Sequence, residues 1–155
     1  MNQKMMVMLC RKLGYELLVA GNGVEALATL EREAAKGPGS EIQCILMDAS
    51  MDVMDGLECT RVIRASQLPT RTRPFIIALT ANVTSEYQAA CLTAGMDLFT
   101  SKPVSVEELM QALRAAHQWH TDNPRHEQQR SRSINAGPHS TLAPPPQHTR
   151  SNSAS

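Results

Sequence analysis

Three side chains able to do chemistry stand at the ends of three apolar runs. "CILMD" ends on Asp48, "PFIIALT" ends on Thr80, and "DLFTS" is followed at once by Lys102. A carboxylate, a hydroxyl and an ammonium brought together suit phosphoryl transfer onto the carboxylate. The carboxylate oxygen is the nucleophile. The transferred group carries its charge on peripheral oxygens, so the protein mainly positions and neutralises. Lys102 would take one oxygen as a point charge and Thr80 would hydrogen-bond another; Mg²⁺ would normally take a third. Asp52 and Asp55 follow Asp48 within one short loop. Asp55, just before Gly56, has the type and place of a turn or helix N-cap residue.

For these three groups to meet, the elements between them must return each one to the same edge. Met6, Leu9, Cys10 and Leu13 recur at helical spacing, and Gly14 stops that helix. "YELLVA" (Tyr15 to Ala20) has the composition of a short strand. Val24, Leu27 and Leu30 mark a second helix, broken by "KGPGS" at 36–40. Residues 42–47 are apolar apart from Gln43, as expected of a strand buried on both faces of a parallel sheet. Residues 56–65 form the next predicted helix, 74–80 the clearest strand, 85–94 a helix ending at Gly95, and 97–101 a last short strand. The final helix opens on a capping box, Ser105 with Glu108, and carries the stripe Val106, Leu109, Met110 and Leu113. Strict alternation of helix and strand predicts an α/β fold, a doubly wound parallel sheet with helices on both faces. In such sheets sites form at the carboxyl ends of the strands. Asp48, Thr80 and Lys102 each end or just follow one.

Composition narrows the partners. Lys plus Arg equals Asp plus Glu at fifteen each, so nothing argues for nucleic acid or an anionic membrane. No apolar run approaches the ~20 residues of a spanning helix, and the N-terminus lacks the layout of a signal peptide. Cys10, Cys44, Cys59 and Cys91 show no CxxC spacing and are expected to be buried free thiols in a reducing, cytoplasmic setting. All five His lie at 117 or later, which argues against a His-based centre in the main body. Residues 121–155 hold five of the nine Pro, with many Ser, Gln and Arg. The predicted organisation is a domain over 1–119 and a disordered Pro/Ser/His-rich tail over 120–155.

"ILMDASMDVMDG", "FIIALTAN" and "AGMDLFTSKP" together resemble three successive motifs of the receiver domain of two-component response regulators, most closely those fused to hybrid histidine kinases. The likeness spans roughly residues 2 to 116. It implies a flavodoxin-like sheet, Asp48 as phosphoacceptor, Thr80 as switch hydroxyl, Lys102 as phosphate contact and Phe99 as the aromatic that turns inward on activation. It also implies a cis bond at Lys102–Pro103, a form that only X-Pro adopts at low cost. The implied cofactor is Mg²⁺, held by Asp48 and the main-chain carbonyl of Ser50. The implied partner is a histidine kinase or a histidine-phosphotransfer protein.

Two features depart from that family. Asp52 stands where the family has Pro, adding negative charge near the acceptor. It could also stand in as a metal ligand. The chain matches the family only from just after its first strand and the acidic pair that ends it. The first strand is therefore expected to be missing from the sheet, leaving the domain unstable alone or forcing "YELLVA" to shift into the gap. A truncated reading frame, or a fragment of a longer hybrid kinase, would explain such a start. Two other readings compete with a phosphoacceptor. A degenerate pseudo-receiver would only bind protein. A phosphatase with an Asp nucleophile would want a second Asp two residues later, where this chain has Ser50.

Overall fold

The computed structural model describes residues 1–66 and 73–123. Eight elements alternate along them: α1 (Gln3–Lys12), α2 (Gly23–Ala35), β1 (Cys44–Asp48), α3 (Gly56–Ala65), β2 (Phe75–Thr80), α4 (Ser85–Ala94), β3 (Leu98–Ser101) and α5 (Val106–Asp122). The strands form one parallel sheet in the order β1-β2-β3. Helices cover both faces, as the alternation predicted.

β2 is the centre of this sheet and is buried along its whole length. Its side chains divide by the strand period of two. Phe75, Ile77 and Leu79 join Cys10 of α1 and Leu109, Ala112, Leu113 and Ala116 of α5. Ile76 and Ala78 join Leu30 of α2, Cys59 and Ile63 of α3 and Cys91 of α4 on the other face. An unbroken apolar run is therefore what a strand between two helical layers requires. Cys10, Cys59 and Cys91 are buried, Cys44 is half-buried, and all four are free, as their apolar contexts implied.

Helix starts are set by local chemistry. Asn2, Asn22, Asp55, Thr84 and Ser105 are the N-caps, and each side chain accepts an N–H of the first turn. The Ser105–Glu108 capping box is complete. Gly95 ends α4 at φ 107°, where a side chain would also strike Arg64. α5 continues through Asp122, three residues past the predicted end of the domain at 119. The predicted tail beyond it, 124–155, lies outside the described residues.

An ion-pair cluster ties the far end of the sheet together. Asp97 receives Arg64 at 2.9 Å, Arg73 at 2.8 Å and the N–H of Ile76 at 2.9 Å. Arg64 also donates to the carbonyls of Gly95 and Pro74, each at 2.9 Å. One carboxylate and one guanidinium thus lock α3 to the entries of β2 and β3.

One predicted strand does not form. Residues 15–20 carry no regular secondary structure and pair with no strand. They are separated from β1 by a cavity of about 1750 Å³, lined on one side by Leu17, Leu18 and Ala20 and on the other by Cys44, Leu46 and Asp48. The expectation that this segment would shift to close the gap is therefore corrected. A strand is held by its neighbours' hydrogen bonds, and 15–20 has no neighbour within reach.

Candidate functional site

β1, β2 and β3 run parallel, so their carboxyl ends share one edge. The register sets Asp48 opposite Leu79, one residue before Thr80, and sets Thr80 opposite Ser101, one residue before Lys102. Two backbone bonds hold the edge together across the strands. Ala49 N–H donates to the carbonyl of Leu79 at 2.9 Å, and Lys102 N–H to that of Thr80 at 2.8 Å.

Lys102 Nζ lies 2.7 Å from Asp48 Oδ2. The other oxygen, Oδ1, accepts the N–H of Ser50 at 3.0 Å. Both side chains of the ion pair are 38% exposed, so the carboxylate is fixed in place yet open to a reactant. Thr80 is buried, at 3% exposure, and its hydroxyl points into the loop after β2. It donates to the carbonyl of Asn82 at 3.2 Å and accepts the N–H of Asn82 at 3.0 Å. Thr80 thus ends the strand next to that of Asp48, with its hydroxyl occupied by Asn82. Phe99 is half-buried against the second apolar cluster, with Tyr87 of α4. The Lys102–Pro103 bond is cis.

Two contributors escaped sequence reasoning. Gly56 opens α3 directly under the site, and a Cβ there would collide with the carbonyl oxygen of Asp48 and approach Ala49 Cα to 3.0 Å. The Asp-Gly pair marks a turn, but not how closely the helix meets the strand end. Tyr87 is the other. Burial first, then the charges of Cys91, Asp55 and Asp48, push its phenol above the ordinary range. Nothing in the local sequence around Tyr87 signals that burial.

Asp55 is the N-cap of α3, accepting the N–H of Glu58 at 2.8 Å, as its position predicted. Asp52 is exposed, and its main-chain carbonyl accepts Met54 N–H at 2.8 Å. The next residue, Val53, has φ 71° and is 82% exposed. Among the described residues no group of three or more His, Cys, Asp or Glu could hold a metal ion. Mg²⁺ takes about six oxygens in octahedral geometry, and here Asp48 spends one oxygen on Lys102 and the other on Ser50 N–H. The described residues do not by themselves make a Mg²⁺ site, and Asp52 does not complete one.

Known proteins share both pattern and shape. Residues 1–114 match the family model of the response regulator receiver domain. The chain is 38% identical over 120 residues to hybrid signal transduction histidine kinase K of Dictyostelium discoideum, covering 74% of this chain and 9% of that one. It is 36% identical over 112 residues to the sensor histidine kinase RcsC of Salmonella typhi, covering 72% of this chain and 11% of that protein. Among solved structures, the receiver domain of a Pseudomonas aeruginosa sensor histidine kinase, with a magnesium ion coordinated in its active-site cleft, superposes with TM-score 0.60. Its identity is 35%, and the match covers 76% of this chain and 87% of that one. A Vibrio cholerae chemotaxis protein superposes with TM-score 0.61 at 27% identity, covering 73% of this chain and 87% of that one. The chain belongs to the receiver domain family of two-component response regulators, and its fold is flavodoxin-like, with three parallel strands among the described residues. It spans about a tenth of the length of the kinases it matches.

Proposed function

We propose that Asp48 accepts a phosphoryl group from a phosphohistidine, carried by a histidine kinase or a histidine-phosphotransfer protein. An Asp48 carboxylate oxygen attacks phosphorus, the P–N bond breaks, and its electron pair leaves with the imidazole. An acyl phosphate forms, and its phosphoryl group, with a charge of about −1.5 to −2, replaces the single negative charge of the carboxylate. Lys102 Nζ moves from the carboxylate to a phosphoryl oxygen. The observation that carries the reading is the 2.7 Å contact between Lys102 and an open Asp48 at the carboxyl edge.

Thr80 supplies the switch. To reach the phosphoryl group its hydroxyl must give up both bonds to Asn82. Losing them frees the loop between β2 and α4, whose Asn82 side chain also holds Thr84, the N-cap of α4, at 2.9 Å. The hydroxyl's departure leaves room for Phe99 to turn inward. α4, β3 and α5 then present a changed surface, a population shift set by local electrostatics. No step here is routed through a metal.

This is a signalling role rather than turnover of a substrate. We place it inside the cell, where such donors work; among the described residues no helix is long and apolar enough to cross a membrane. Among the described residues no group of three or more His, Cys, Asp or Glu could hold a metal ion, which favours a second reading, a pseudo-receiver that only binds protein. Incubation with a phosphohistidine donor and Mg²⁺ separates the two. A hydroxylamine-sensitive label on wild type and none on Asp48→Asn is expected. Equal labelling of both, or none on either, defeats the proposal.

A further inference from the structure

The loop that follows Asp48 is held at both ends and in the middle. Ser50 N–H donates to Asp48 Oδ1 at 3.0 Å, and Gly56 N–H to the carbonyl of Ala49 at 3.3 Å. Met51 and Met54 pack onto the second apolar cluster. Met54 lies so close to the start of α2 that a Cβ at Gly23 would stand 2.8 Å from its Cγ. Between these anchors the chain closes a tight turn, Met54 N–H to Asp52 O at 2.8 Å, with Val53 at φ 71°. A turn of this kind is rare and strained, most of all for a β-branched residue. Such strain persists only where the surrounding structure over-determines it. Asp52 and Val53 therefore form a fixed, exposed apex.

Asp52 stands on that apex as an uncompensated charge. Among the described residues no cation pairs with it. The other charges of the rim are engaged: Lys102 with Asp48, and Asp55 with the first turn of α3. Three residues span at most about 11 Å, so the Asp52 backbone lies within that reach of Ala49, the residue after the acceptor. A phosphoryl donor approaching Asp48 meets this added negative charge at about 10 Å, about one Debye length at 0.1 M salt.

We propose that Asp52 is a charge filter on the acceptor, disfavouring small free acyl phosphates, which are dianions, against donors of lower charge. The filter rests on the reading of Asp48 as the phosphoacceptor. A free acyl phosphate would react by the same displacement. A carboxylate oxygen of Asp48 attacks phosphorus, the bond from phosphorus to the acyl oxygen breaks, and its electron pair leaves with the carboxylate product. Both reactants are anions, and the repulsion from Asp52 grows with each charge on the donor. A phosphohistidine arrives on a protein surface, whose own cations can complement Asp52. The filter thus insulates the domain from free acyl phosphates and leaves the supply of phosphoryl groups to a protein donor.

Two small donors test this on the full chain, in low-salt buffer with Mg²⁺, with labelling rates followed by intact mass. Acetyl phosphate is a dianion at neutral pH and releases acetate. Phosphoramidate carries one net negative charge; its P–N bond breaks and the electron pair leaves with ammonia. A unit charge at about 10 Å in water changes a rate about fourfold for a dianion and about twofold for a monoanion. Asp52→Asn keeps the shape and removes the charge. It should speed labelling by acetyl phosphate about fourfold and by phosphoramidate about twofold. Both gains should fade at ~1 M salt, where the Debye length is about 3 Å. Asp52→Glu should label like wild type. No gain in Asp52→Asn would overturn the proposal, as would an equal gain for both donors or one that survives high salt. If neither donor labels wild type or Asp52→Asn, the reading of Asp48 fails and the filter with it. Labelling that is lost in Asp48→Asn yet indifferent to residue 52 sinks the filter alone.

Discussion

Replacing Lys102 by Ala separates a stabilising contact from a functional one. In the unmodified protein the ammonium meets Asp48 at 2.7 Å, with both side chains 38% exposed. Pairs exposed to that degree are screened, and measured values for exposed pairs run about 0.2–1 kcal/mol. For a domain of this size that is a fall in Tm of a few degrees. Phosphorylation raises the stakes. Among the described residues Lys102 is the one cation in contact with Asp48. A hydrogen bond to a charged group is worth about 1.5–3 kcal/mol, which is about 10- to 150-fold in an equilibrium. Lys102→Ala should therefore lower the yield of acyl phosphate, or the affinity for beryllofluoride, by one to two orders of magnitude. Lys102→Arg, which keeps the charge but not the point geometry, should fall between. Labelling follows the first quantity and thermal unfolding the second. A variant that folds normally and labels like wild type would refute the role given to Lys102. A collapse in Tm would show that the ion pair is mainly structural.

The other expectations concern the frame around the site. Asp97→Ala leaves Arg64 and Arg73 without their shared carboxylate, at side-chain exposures of 17% and 34%. Discounted for that exposure, urea unfolding should report a loss of about 2–4 kcal/mol, and a loss below 1 kcal/mol would deny the lock. Gly56→Ala drives a methyl into the Asp48 carbonyl. The overpacking costs about 1–3 kcal/mol, partly offset by about 1 kcal/mol of helix propensity, so labelling should fall more than stability does. Val53→Asn relieves a β-branched residue held at φ 71° and should raise stability by about 1 kcal/mol; no change in the urea midpoint would mean the loop relaxes in solution. The last expectation is a pH dependence. The Ser105 N–H, then the Ser105 hydroxyl, hold Glu108 below its ordinary 4.5. A depressed carboxylate adds stability above the unfolded value, and loses it as pH falls through the folded one. Ser105→Ala should cost about 1 kcal/mol at pH 7, and the gap to wild type should shrink below pH 4.5.

What could be read from the residues alone divides along a physical line. Features decided within a turn or two were legible. Ser105 with Glu108, Asp55 as a cap and Gly95 as a stop are local hydrogen-bond and backbone chemistry, and each stands where its neighbours put it. The apolar run of β2 was legible because burial on both faces leaves no polar residue to interrupt it. The common edge of Asp48, Thr80 and Lys102 followed from alternation, since parallel strands all end on one side. What was not legible depends on partners distant in sequence. Asp97 and Arg64 are 33 residues apart, and nothing near either foretells their contact. The collision that keeps Gly56 a glycine lies across the loop in Asp48, and the Thr80 hydroxyl could not be aimed without knowing where Asn82 falls. "YELLVA" carries the limit furthest. Its Tyr, Leu and Val favour a pleated, half-buried surface, yet composition states only what a segment would do beside a strand. β1 turns three residues' main-chain groups toward it across the cavity, and without something between them neither edge can complete a ladder. A propensity local to six residues is overruled by the absence of a neighbouring strand to pair with.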